Sequence, residues 1–101
     1  MTLRVLILNE SGGYVAQCLE HDIAAQGDSV RETLTNFLDV LLGQIQLDLS
    51  QNRTPLAGKK EAPPWFWQAL ENADRLESPK PFQNLTSEYH FHEFAAEAWI
   101  R

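Results

Sequence analysis

Hydrophobic positions along the chain form a strand-like block, a helical block and two aromatic clusters. Thr2 to Asn9 reads TLRVLILN, with Leu3, Val5 and Ile7 on one side and Arg4, Leu6 and Leu8 on the other. Apolar residues on both sides predict a strand covered on both faces, one by a helix of the same chain, the other by a second copy or a partner. Glu10-Ser11-Gly12-Gly13 follows as a hairpin turn, since glycine accepts positive φ without steric cost. Tyr14 to Leu19 returns as a second strand. Glu20-His21-Asp22 is a polar link, and Ile23 to Gly27 is a short third strand ended by glycine.

Asp28-Ser29 opens the clearest element. Ser29 with Glu32 makes a capping box, in which each side chain can satisfy a free backbone N–H of the first turn. Val30, Leu34, Phe37, Leu38, Leu41, Ile45 and Leu49 then recur at three- and four-residue spacing, widened by Leu42. This apolar stripe predicts a helix from Ser29 to about Leu49, weakened modestly by Gly43.

Ser50 to Glu61 is polar, carries Pro55 and Gly58, and reads as a loop. Pro63-Pro64 starts a short second helix that includes Trp65, Phe66, Trp67, Ala69, Leu70 and Ala73, because proline suits a first turn. Ser78 to Ser87 is a second loop. Glu88 to Arg101 mixes periodicities: Ala95 to Ala98 alone would pass for helix, but the aromatic content favours one long strand. The expected fold is a single α+β domain, an antiparallel sheet of three to four strands with one long helix on one face, in the order β-β-β-α-(α)-β. Its core spans 2–50, a loop and short helix fill 51–78, and the last strand occupies about 88–101.

Composition narrows the function. The chain has 101 residues, with 14 acidic against 8 basic, for a net charge of −6. That charge repels phosphate backbones, so direct nucleic-acid binding is not expected, and it favours a basic partner. A lone cysteine, Cys18, fits a reducing compartment. There is neither a secretory signal nor an apolar run long enough to span a bilayer, so a cytoplasmic, membrane-free protein is expected.

The segment Gly13-Tyr14-Val15-Ala16-Gln17-Cys18, then a short polar link, then Ala25-Gln26-Gly27-Asp28-Ser29 and a helix beginning Val30-Arg31-Glu32 resembles the HicB-like antitoxin domain. The resemblance covers roughly residues 3–50. It implies a partial ribonuclease-H-like fold, β-β-β-α-β, and a prokaryotic toxin–antitoxin system in which the protein masks HicA, a small basic ribonuclease that cuts messenger RNA. The chain differs from the family pattern in two places. Glu20-His21-Asp22-Ile23 stands where members carry a proline- and glycine-containing link, and the C-terminal half has no basic DNA-reading helix.

Several constellations could carry chemistry. Glu20, Asp22 and Asp28 flank the third strand and could hold metal ions in a nuclease if they converged; solvated turns and a helix N-terminus account for them as well. His90 and His92 share a strand face, and with His21 they could form a zinc site; an exposed or interfacial pair is the plainer reading. Cys18 could be a nucleophile beside His21, but reads better as a small buried hydrophobe. Trp65, Phe66 and Trp67 span roughly 200° of a helix, so one at least should leave the core. With Tyr89, Phe91 and Trp99 they are the candidate partner-contact residues.

These readings point to a non-catalytic binding module without cofactor or metal. Its partners would be a HicA-like toxin and further copies of itself, as a homodimer or higher oligomer. The alternatives are a solitary self-associating accessory protein, or a metal-dependent nuclease or hydrolase.

Overall fold

A computed structural model describes residues 2–76 and 95–101. Five strands form one sheet: β1 (Thr2–Glu10), β2 (Gly13–Cys18), β3 (Ala24–Gly27), β4 (Asp74–Leu76) and β5 (Ala95–Ile100). Two helices accompany them, α1 (Val30–Ser50) and α2 (Pro64–Leu70). The strand order is β3-β2-β1-β5-β4. The α+β class and the long helix packed on the sheet agree with the sequence, but the sheet differs from expectation in two respects. It is mixed, because β5 runs parallel to β1 with Leu3 beside Ala96, Val5 beside Ala98 and Ile7 beside Ile100. It also gains a fifth strand, β4, pairing antiparallel with β5 in a stretch expected as helix end and loop. α2 stops at Leu70, so Ala73 lies outside it. Ala95 to Ala98, locally helix-compatible, is strand because β1 supplies a ladder partner to each of the four residues, with Leu76 of β4 on the other side of Ala98. The expected segment 88–94 of the last strand lies outside the described residues.

The two-sided pattern of β1 is that of a central strand. Leu3, Val5 and Ile7 join Ala16 and Cys18 of β2, Ala98 of β5 and Leu34, Phe37, Leu41, Leu42 and Ile45 of α1 in one buried cluster. On the opposite face Leu6 is also fully buried, with Gln17 and Trp99 as its cross-strand neighbours. A single chain therefore buries it, and a second copy is not needed for that purpose.

The hairpin between β1 and β2 turns through Ser11 and Gly12, at φ of 40° and 86°. Positive φ at both central residues matches the right-handed twist of the strands. Gly13 is not a turn residue, as the sequence suggested. It lies in β2, where a Cβ would come 2.9 Å from the Gly27 carbonyl oxygen. At Gly27 a Cβ would meet the Thr33 backbone N and Oγ1, each at 2.7 Å. Glycine at the end of β3 thus lets the first turn of α1 lie directly against the sheet.

Ser29 caps that turn, its Oγ accepting the Glu32 N–H at 3.1 Å. The buried stripe of α1 runs as expected to Ile45, but Leu49 is exposed and Asp48 takes the inward position in the last turn. The Asp48 carboxylate accepts from the Leu56 N–H, Arg53 and Gln44. These bonds fold the chain after α1 back so that Leu56, at φ 67°, enters the core. The same segment then returns to the sheet, where Lys60 O accepts from Asp22 N–H and Ala62 N–H donates to Leu19 O. Among the described residues, no helix is long and apolar enough to cross a membrane.

Candidate functional site

Proline at 63 and 64 starts α2 where the missing N–H costs nothing, and seven residues then carry three consecutive aromatics around the helix. Their spread prevents all three from entering one core. Trp65 is 51% exposed and stacks on Phe66, ring centroids 3.8 Å apart. Phe66 and Trp67 are half-buried, and Ala69 is the buried residue of the helix. Trp67 meets the outer face of the sheet, where the Arg4 guanidinium lies 4.5 Å from its ring centroid. Arg4 is fixed in turn by Glu20, whose carboxylate accepts from Arg4 N–H at 2.7 Å and from Nε at 2.6 Å.

Trp99 repeats the arrangement on β5. The Arg75 guanidinium lies 5.8 Å from its ring centroid and pairs with Glu97 at 2.9 Å. Two of the three tryptophans therefore carry a guanidinium from this chain, each tied to a glutamate. Arginine suits this role because its flat cation can stack on a ring while its edge binds a carboxylate. The sequence reading singled out the aromatics, weighed Glu20 only as a metal-holding carboxylate, and missed Arg4 and Arg75. The available signal was a lone cation inside an otherwise apolar central strand. Tyr89 and Phe91 lie outside the described residues.

Among the described residues, the catalytic constellations are not assembled. Glu20 is committed to Arg4, Asp22 accepts from Gln17 Nε2 at 2.8 Å, and Asp28 stands in the turn before α1. Among the described residues, no three His, Cys, Asp or Glu side chains converge to hold a metal. His90 and His92, the other half of the considered zinc site, lie outside the described residues. Cys18 is fully buried, and burial, with the Glu20 charge adding to it, pushes the thiol up to about 11. His21 Nδ1 is buried without a hydrogen-bond partner among the described residues, so it forms no bond to the Cys18 thiol.

Two open concavities flank these elements. One, of about 410 Å³, lies over the hairpin turn and the end of β3, with Glu10, Gly12, Gln26 and Asp28 in its lining. The other, of about 430 Å³, lies along α2 between Glu61, Ala62, Pro64, Trp67 and Gln68. Both are shallow and suit a protruding side chain better than an enclosed small molecule. The chain matches no family model, no curated protein and no solved structure.

Proposed function

We infer that this protein is a non-catalytic, HicB-like binding module that masks a small basic ribonuclease of HicA type. The observation that carries the reading is the junction at Gly27-Asp28-Ser29. There a strand-ending glycine lets α1 dock on the sheet and a serine caps it, within a β-β-β-α unit beside whose first strand the later β5 is paired. Those are the positions on which the sequence resemblance rests. The net charge of −6 adds an attraction toward a basic protein. The arginine–tryptophan pairs and the aromatic short helix provide rigid contact area of the kind that anchors protein interfaces.

The test is co-expression with a small basic reading frame adjacent to its gene. A stable complex that relieves messenger-RNA cleavage supports the reading. Free toxin activity at excess antitoxin, with no complex on gel filtration, defeats it.

A further inference from the structure

We propose that α2 and its flanks form the docking surface for a basic protein partner, with Trp65 receiving an arginine side chain from it. The proposal rests on the masking function inferred above and names the surface that would perform it.

Each of the other two tryptophans holds a guanidinium from within the chain, Arg4 on Trp67 and Arg75 on Trp99. Trp65 holds none. It lies on Phe66 with one side and shows half its surface to solvent. The stack fixes the ring, so little side-chain freedom would be lost on contact.

The whole chain carries a net charge of −6, and three exposed carboxylates stand around the helix. From Glu61 through Asp74 the chain has no lysine or arginine, with Lys59 and Lys60 before that stretch and Arg75 after it. Glu61 precedes α2, Glu71 caps its end and Asp74 opens β4, all exposed. The ion pairs among the described residues are Arg4–Glu20, Arg53–Asp48 and Arg75–Glu97, and none of them includes Glu61, Glu71 or Asp74. The concavity beside Trp67, with Glu61 at its lining, offers room for a neighbouring long side chain. An exposed aromatic on a short segment that also carries carboxylates outside the ion pairs fits an arginine-bearing segment, which can stack and pair at once.

Binding of a blocked hexa-arginine peptide to the full chain, followed by tryptophan fluorescence and by the Trp65 indole N–H resonance, tests this directly. Trp65→Ala is expected to weaken binding by about threefold to fivefold, the size of an exposed cation–π contact. Trp65→Phe should keep part of it. Glu61→Gln, Glu71→Gln and Asp74→Asn together should weaken it further. Glu10→Gln, Asp28→Asn and Asp39→Asn together make the same change of charge elsewhere and should leave affinity within about twofold, since screening confines charge effects to roughly 10 Å. Hexa-lysine should bind more weakly than hexa-arginine.

Equal losses in the two triple variants, or no loss in Trp65→Ala with an unchanged circular-dichroism spectrum, overturn the proposal. So does a dimer of the free chain that Trp65→Ala dissociates, because the occupant is then a second copy. If the chain binds and inhibits the adjacent basic ribonuclease but Trp65→Ala does so equally well, the surface is wrong and the masking function stands. Peptide binding that depends on Trp65, without any complex with that ribonuclease, retains the surface and removes the masking function.

Discussion

Gly27 and Gly43 are both glycines, yet substitution should move stability in opposite directions. A Cβ at Gly27 would overlap the Thr33 backbone, whose position is fixed by the Ser29 cap and the start of α1. Gly27→Ala should therefore destabilise the fold by about 2 kcal/mol, in the range of small-to-large changes at packed sites. Gly43 is exposed in the middle of α1 with nothing within 4 Å of an added Cβ. Gly43→Ala should stabilise by about 1 kcal/mol through helix propensity alone. Urea unfolding of the two variants checks both signs. Cys18 gives a third residue-scale expectation. A thiol pushed up to about 11 and fully buried should react with a disulfide reagent at neutral pH only after unfolding, so labelling of the native chain should follow global unfolding kinetics. Rapid labelling under native conditions would contradict the burial.

Among the elements, α1 is the one the sequence describes most fully. Its cap and the inward positions from Val30 to Ile45 are legible because helix periodicity and capping are local properties. Its last turn is not. Asp48 turns inward because Leu56, eight residues later, brings a backbone donor to it, and no periodicity encodes that return. β4 was missed for a related reason: three residues, Asp74–Leu76, acquire strand character from the ladder with β5 rather than from their own pattern. The aromatics of α2 and Trp99 were visible in the sequence, but the arginine on Trp67 comes from β1 and that on Trp99 from β4, elements remote in the chain from the rings they cover.

The Asp48 knot also predicts a pH response. The Leu56 N–H, with help from Gln44 and Arg53, outweighs burial and holds the Asp48 carboxyl below its ordinary range. A depressed native value means that the stabilisation is present above the unfolded value, about 3.9, and is lost as pH falls through the native one. Thermal melts of wild type and Asp48→Asn should therefore differ most at neutral pH and converge as pH falls through the depressed native value. A constant gap down to acid would show that the charge on Asp48 contributes nothing.

For the molecule as a whole, the parallel pairing of β1 with β5 fixes what the core requires. β5 lies between β1 and β4 and supplies Ala98 to the buried cluster. Removing residues 95–101 would leave the most apolar strand with one bare edge and detach β4. That truncation should abolish the cooperative thermal transition and bind a hydrophobic dye, because unpaired apolar strand edges promote association. A truncated chain that still melts sharply would mean that the first four elements hold the fold by themselves.

The same pairing bears on biosynthesis. A ribosome makes β1 first and its parallel neighbour long afterwards, so the central strand must wait with one side open while the intervening polypeptide emerges. Such late, non-local closure slows folding and lengthens the period in which nascent chains can cross-associate. A molecular escort, or a binding partner produced nearby at the same time, would be of most use during that interval, before the sheet is sealed.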